Sequence, residues 1–501
     1  MTEPIADVLI VGGGSAGAVL AARSSENPDR RVLLLEAGPV YPVDGYPAAV
    51  ASSSVLGGYT GHDWGYASEP GFVGHPIALY RGKVLGGSSA VNGSVLVRAL
   101  PADFDRWTAR GLKGWSFPEV LPSFRKLENT SAGADEWHGR GGPLPVRQLT
   151  RDELSPMQRA FVDSAVACGI PATEDFNGPQ PYGVGPYPMN VVDGVRVNTG
   201  LAYLTADVRE RANLSLRGNV LVDRVEFGDN GTRAIGVRTA DGELITAGEI
   251  VLCAGTFGSA AILLRSGVGP ADRTRALGIP VVADLPVGRT LYDHPFYYNA
   301  YAAHADRLGA GEPVIGAKVW TASSEAAPGE LDLHITATHL IDQHLSPTGA
   351  AYVLAVALTR PLSCGSLTLT DRDPHTAPRI DPNFLADPAD RRRLVEGVTL
   401  SRRIGSHGPL GEFVAHEMSP GSDLPGDIDA SVRATLDTYH HPTSTVPMGA
   451  DDDPAAVVDR LGAVRGLTGL RVVDASILPD AVCAATNATV IMAAEHIAAE
   501  L

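Results

Sequence analysis

Residues 8–36 constrain this chain more than any other stretch. Val8-Leu9-Ile10-Val11 is a short apolar run that reads as a strand, and Gly12-Gly13-Gly14-Ser15-Ala16-Gly17 follows it. Ala18 to Arg23 reads as a helix, and a second apolar run, Val32 to Leu35, ends in Glu36. A G-x-G-x-x-G turn between strand and helix, with an acid about twenty residues on, predicts a dinucleotide-binding unit. Gly12 permits the tight turn, Gly14 lets a pyrophosphate approach the backbone, and Gly17 lets helix and strand pack closely. The free N–H groups at the helix start, from Ser15 and Ala16 on, attract the phosphates. Glu36, with Ala37 beside it, offers a carboxylate to the hydroxyls of an adenosine ribose. This turn alone leaves FAD and NAD both open.

The 501 residues exceed one ordinary domain, so two or more are expected. A net charge of −17 with no long basic run argues against nucleic acid or an anionic membrane surface as partner. No apolar run reaches the length of a membrane span. The fingerprint lies close to Met1, which points to a cytoplasmic protein without a signal peptide. Cys168, Cys253, Cys364 and Cys483 have no C-x-x-C spacing, so reduced thiols are expected rather than disulfides or a metal site.

Between Gly38 and Tyr80, Pro39, Pro42, Pro47, Gly57-Gly58 and Pro70 predict an extended excursion with little regular structure. Arg81 to Asn92 then carries two clusters of small residues, suited to close backbone approach to a flat or charged ligand. Further on, Leu331 to Thr338 alternates with period two, predicting a half-buried strand. Asp332, His334, Thr336 and Thr338 share its polar face, which lines a cavity or meets solvent. Tyr352–Leu358 and Ser366–Leu369 read as further strands of an antiparallel sheet. Asp387-Pro388-Ala389-Asp390 opens a helix, with an N-cap, proline at the first position and an acid in the first turn. Its Arg391-Arg392-Arg393 run reads as a solvated face.

The stretch RGKVLGGSSAVNGSVLVRALPADFDRW, Arg81 to Trp107, resembles the first signature of the glucose–methanol–choline (GMC) flavin oxidoreductases. Similar blocks follow in that family's order: GWSFPEVLPSFRKLE (Gly114–Glu128), HGRGGPLPV (His138–Val146), DFNGP (Asp175–Pro179), GTFGSAAILLRSGVGP (Gly255–Pro270) and LPVGRTLYDHP (Leu285–Pro295). HHPTSTVPMG (His440–Gly449) and the segment Leu470–Ala498 complete the set. The resemblance implies an α/β fold: a Rossmann-like FAD-binding domain with a discontinuous α+β substrate domain built on an antiparallel sheet. Residues 1–155, 194–300 and 425–501 would form the first; 156–193 and 301–424 the second. The final helix would begin near Thr489.

It also implies a site. His441, directly before Pro442, stands where the family places its catalytic histidine; His440 is its neighbour, and Ser444 replaces a usual glycine. Arg81, Gly82, Val84, Gly87 and Ser88 belong to the cofactor-binding set. Asn92, Gly93, Ser94 and Val95 would run beside the isoalloxazine, and Val222 would meet the adenine. Ala254, Asp474, Ala475, Asn487, Ala488 and Thr489 complete the FAD contacts. Ala485 stands where relatives carry a second catalytic His or Asn, and Thr489 where proline is usual. Ala90 occupies the place of a histidine that bonds FAD covalently in some relatives, so non-covalent FAD is expected. The implied function is oxidation of a CH–OH group of a small alcohol or sugar-like substrate. His441 would be the general base, hydride would pass to flavin N5, and oxygen or a separate acceptor would reoxidise the cofactor. A lyase of the same fold without net redox, and a flavin-bound sensor without turnover, stand as alternatives.

Overall fold

The computed structural model describes residues 4–228, 231–309, 311–421 and 428–501. Its first sheet is seven-stranded, with Ala6–Val11 at the centre between Val32–Leu35 and Leu244–Leu252. Both of those neighbours are parallel to it, as are Leu214–Arg217 beside Val32–Leu35 and Leu470–Val472 beside Leu244–Leu252. The apolar runs fill both faces: Leu9, Ile10, Leu34 and Leu252 are fully buried, as strands covered on two sides must be. The long strand Leu244–Leu252 does double duty. Its first half pairs antiparallel with Ala234–Thr239, which in turn pairs with Val222–Phe227.

The helix after the glycine turn spans Ser15–Ser24, starting three residues before the expected Ala18. It packs against the last helix, Thr486–Ala498. Buried Glu495 on that helix accepts from Arg23, Lys126 and the Tyr203 hydroxyl, so the chain's two ends close on one carboxylate. The last helix also starts three residues earlier than expected. A proline at position 489 would disfavour helical geometry at Ala488; Thr489 carries no such restriction.

The second sheet is antiparallel, in the order Val414–Ser419, Pro295–Ala303, Ala351–Leu358, Leu333–Thr338, Ile315–Thr321, Gly183–Pro186, with Asp437–Thr438 also on Pro295–Ala303. The boundary expected at residue 300 falls inside one of its strands, and the one near 425 lies outside the described residues. Every residue of Ala351–Leu358 is buried. Tyr352, Leu354, Val356 and Leu358 join one large core, against which the helix Pro388–Ser406 packs, and Val353, Ala355 and Ala357 join Phe296 and Ala300 on the other face.

Three expectations change here. Leu333–Thr338 is buried on both faces rather than half-buried: Leu333, Ile335 and Ala337 enter the core, and Thr336 and Thr338 line an internal cavity. Ser366–Thr368 is no strand of the main sheet; it pairs only with Arg379–Asp381, and Leu367 and Ile380 anchor this ribbon in the core of the first sheet. Arg393 is not solvated. It is buried against Asp332 (3.2 Å) and Asp390 (2.6 Å), because the helical repeat turns it inward while Arg392 reaches exposed Glu325. Asp387 caps the helix as expected, accepting from Ala389 N at 2.8 Å. The stretch after Gly38 is irregular save for short pieces such as Ala48–Ala51 and the ribbon Tyr66–Ala67 with Ala78–Leu79. Among the described residues no helix is long and apolar enough to cross a membrane.

Candidate active site

A cavity of about 1170 Å³ runs from the glycine turn of the first sheet to the inner face of the second. At one end the backbone does the work. Gly12 takes φ +100°, a left-handed turn that seats Gly17 directly on the Gly12 carbonyl. A side chain at Gly14 would find only the Gly87 Cα, at 3.7 Å, and otherwise open cavity. This is the fit a pyrophosphate needs: free N–H groups at a helix start and no Cβ between them and the ligand. Glu36 closes that end. Its two oxygens accept from Gly13 N (2.8 Å) and Gly38 N (2.7 Å), and burial pushes its pKa up to about 7 against those hydrogen bonds.

The wall opposite is the segment Arg81–Val95. The Ser89 hydroxyl fixes its short helical turn, donating to the Gly86 carbonyl at 2.6 Å and accepting from Thr199 N at 3.0 Å, and Asn92 Oδ1 accepts from Ser94 N at 2.9 Å. Beneath it lies Arg196, fully buried, donating to the Ser94 hydroxyl and to the carbonyls of Val50, Val55 and Ala90. Arg196 thus ties the excursion to the wall with a single side chain, and burial lowers its pKa to about 10.

At the far end stand the histidines. Asp293 Oδ1 accepts from the backbone N–H groups of both His294 and His441, at 2.8 Å each, and its Oδ2 accepts from the Thr438 hydroxyl at 2.7 Å. One buried carboxylate therefore sets two histidine-bearing loops against each other. The Nδ1 atoms of His294 and His441 meet at 3.0 Å, leaving His441 Nε2 for the cavity side. Burial holds the His441 pKa well below the ordinary imidazole value, and His294, Arg81 and His440 push it the same way. The ring is a neutral imidazole at neutral pH. Tyr439 packs on it at 4.4 Å, and Phe296 stacks on Tyr439 at 4.5 Å with planes 8° apart. His440 turns the other way: its φ is +62°, its ring meets Tyr80, and its carbonyl accepts from Arg81 Nη2 at 2.6 Å.

Most residues expected at the site border this one cavity. Gly12, Gly14, Ser15, Ala16, Glu36 and Ala37 line the first end. Arg81, Gly82, Gly87, Ser88, Asn92, Gly93 and Val95 line the wall. Val222, Ala254, Asp474, Ala475 and Asn487 lie along it, and His440, His441 and Ala485 at the far end. Five lie behind it instead. Gly17 is used in packing, Val84 is buried with Val50 and Ala90, and Ser94 turns its hydroxyl to Arg196. Ala488 and Thr489 are buried within the last helix. Sequence reading gave no role to Asp293 and His294, although the triplet Asp293-His294-Pro295 was in view; nothing local shows that it faces His441.

Residues 6–296 and 361–494 match the N-terminal and C-terminal parts of the GMC oxidoreductase family. The chain belongs to that family and is an FAD-dependent oxidoreductase acting on CH–OH donors. It is 38% identical to mitochondrial choline dehydrogenase of Mus musculus, over 98% of this chain and 88% of that one. It is equally 38% identical to an oxygen-dependent choline dehydrogenase of Paraburkholderia phymatum, over 98% and 91% of the two chains. Among solved structures, pyridoxine 4-oxidase from Mesorbium loti superposes with a TM-score of 0.90 at 34% identity, covering 99% of both chains.

Proposed function

We propose that this enzyme oxidises the CH–OH group of a small, ring-bearing alcohol, with His441 as general base and the cofactor held without a covalent bond. The observation that carries the reading is the pairing of His441 with His294 on the cavity wall. The two Nδ1 atoms share one hydrogen, and burial lowers the His294 pKa to about 3; with that hydrogen assigned to His441, the lone pair of its Nε2 faces the substrate. A neutral imidazole whose second nitrogen is fixed is suited to take a hydroxyl proton. Asp293 holds the loop through the His441 backbone, so the ring is placed before substrate arrives. Gly14, Ser15, Glu36, Asn92 and Asn487 would hold FAD, which supplies a hydride acceptor at flavin N5 when bound. Reduced FAD would be reoxidised by oxygen or by a separate acceptor.

The wall next to His441 supports the substrate class. Phe296, Tyr298, Tyr439 and Tyr80 present aromatic faces there, which favour a flat or ring-bearing alcohol over a plain alkanol. The likeness to pyridoxine 4-oxidase and to choline dehydrogenases supports adding pyridoxine and choline to the panel. The test is anaerobic titration of the yellow holoenzyme with aromatic, heteroaromatic, sugar and aliphatic alcohols, followed by admission of air. Bleaching by ring-bearing alcohols is expected, and the speed of recovery separates oxidase from dehydrogenase. A flavin left yellow by every alcohol, with turnover of a cyanohydrin, would make the protein a lyase. Acid precipitation should leave FAD in the supernatant; colour in the pellet would overturn the non-covalent assignment.

A further inference from the structure

Behind His441 lies a second group of nitrogens that the reaction at the cavity does not use. His294 Nε2, both ring nitrogens of His334 and Lys318 Nζ are buried with no hydrogen-bond partner among the described residues. The backbone of Val482 and Cys483 approaches the two histidines without reaching hydrogen-bond geometry. Buried polar atoms are nearly always satisfied, so a group of four calls for a physical account.

Their placement is not scattered. In the second sheet Lys318 pairs with Thr336 and Trp320 with His334, so all four side chains share the face that carries the cavity-lining Thr336. Lys318 Nζ lies 3.7 Å from the centroid of Trp320 and 4.7 Å from that of Phe176, with Tyr187 at 5.7 Å. Trp320 meets His334 edge-on at 5.1 Å. His334 and His294 both pack on Tyr439, at 6.1 and 6.4 Å, and Tyr439 packs on His441. Through Tyr439 and Trp320 the side chains of His441, His294, His334 and Lys318 thus belong to one packed cluster.

We propose that His294, His334 and Lys318 form an internal proton store that takes the hydroxyl proton from His441 during oxidation. The proposal rests on His441 being the base. The substrate O–H proton passes to His441 Nε2, and the hydrogen on His441 Nδ1 passes to His294 Nδ1. The hydrogen on His294 Nε2 then passes through bridging water to the free lone pair of neutral His334 or Lys318. Water is the usual partner of buried polar atoms that the protein leaves unpaired. FAD, when bound, would supply the acceptor for the carbinol hydride, so one proton would stay inside for every two electrons accepted.

Lys318 is suited to the end of that path. Burial holds it as a neutral amine, well below the usual lysine pKa, and burial likewise holds His334 neutral. Phe176, Tyr187 and Trp320 surround Lys318 and His334 lies near it, and among the described residues no carboxylate pairs with it. Three aromatic faces attract the ammonium form by cation–π interaction, so a proton that arrives there is stabilised without a counterion.

The test counts protons. Holoenzyme in weak buffer with a pH-indicator dye is reduced anaerobically by the best alcohol of the panel, and protons released per flavin reduced are read together with the flavin spectrum. Wild type should release fewer protons than Lys318→Met, by up to one per flavin, with the same reduced spectrum in both. Equal counts in the two proteins, each fully reduced, would overturn the store. Methionine matches the length of a neutral lysine; if the variant does not fold, His334→Gln carries the same measurement. His441→Gln separates the two readings. If it reduces flavin at the wild-type rate, the base assignment fails; if it is slow and the Lys318→Met count is unchanged, the store alone fails.

Discussion

Ser15, at the start of the first helix, donates its hydroxyl to Asn487 Oδ1 at the start of the last, 2.8 Å away and 472 positions along the chain. Two helix N-termini are thus locked side by side on the cavity wall, and the positive ends of both face the same space. Ala254, at the start of the helix Gly255–Arg265, adds a third. At that third start Gly255 N donates to the Asp474 carboxylate at 2.9 Å, and two of the three starts come from segments far from the fingerprint.

Gly14 separates folding from cofactor binding. Its missing side chain leaves space that belongs to the cavity, and its φ of −80° is open to any L-residue. Gly14→Val should therefore give a folded but colourless protein, with near-normal circular dichroism and FAD content close to zero. Retained FAD would place the pyrophosphate elsewhere.

The nucleotide end is legible in sequence because its parts are local. The strand, Gly12, Gly14, Gly17 and Glu36 lie within some thirty residues, and each has one mechanical role. The other end is assembled from loops far apart. His294 and His441 meet across 147 positions, and the carboxylate that sets both belongs to a triplet with no period or cap to mark it. Arg391-Arg392-Arg393 shows the same limit on a smaller scale. Three equal charges look like one solvated face, and only the packing partner Asp332 shows that the third is turned inward. Thr489 is legible as a departure from its relatives, but not the earlier start of the helix that holds it.

His441 and His440 should part sharply. His441→Ala should retain FAD and slow flavin reduction by roughly 10²–10⁴-fold, as for loss of a positioned general base. His440→Ala should have a much smaller effect, since its ring meets Tyr80 and the contact with Arg81 runs through its carbonyl. On the proposed role the active form of His441 is the unprotonated one, and burial, with His294, Arg81 and His440, lowers its pKa from 6.5. The reduction rate should hold constant through pH 7 and fall only below pH 6.5. Stopped-flow reduction at saturating substrate from pH 5 to 9 checks this; an acid limb centred above 6.5 would assign it to another group.

His138 offers a stability test outside the site. Its ring is 5% exposed and lies between Glu128 Oε1 (3.0 Å) and Asp175 Oδ2 (2.9 Å). Burial works against its charge, but the hydrogen bonds to Asp175 and Glu128 outweigh burial and raise its pKa to about 9. A histidine whose folded pKa is raised stabilises fully below its unfolded value, about 6.5, and loses that contribution as pH rises through 9. The Tm gap between wild type and His138→Gln should be wide at pH 6 and narrow at pH 9.5. A gap that does not change with pH would mean that His138 acts by packing alone.

Ala485 is the departure with the most to say about substrate. It precedes the last helix, borders the same cavity as His441 and offers the substrate oxygen nothing to bond. On the proposed role of His441, that oxygen would have one protein partner instead of two and would depend on what the substrate brings: a neighbouring hydroxyl, a ring held on Tyr439 and Phe296, or a bound water. Simple alkanols should be poor substrates, and bulky, polyhydroxylated or ring-bearing alcohols better ones. Ala485→Asn should raise the reduction rate with a small primary alcohol by about tenfold or more, since each decade corresponds to about 1.4 kcal/mol of transition-state stabilisation. The same side chain should impair the preferred substrate by occupying its space. Steady-state kcat/KM for one alkanol and for the best alcohol of the panel measures both effects. If neither changes, Ala485 does not face the reacting carbon, and the hydroxyl is then oriented from the His441 side of the cavity alone.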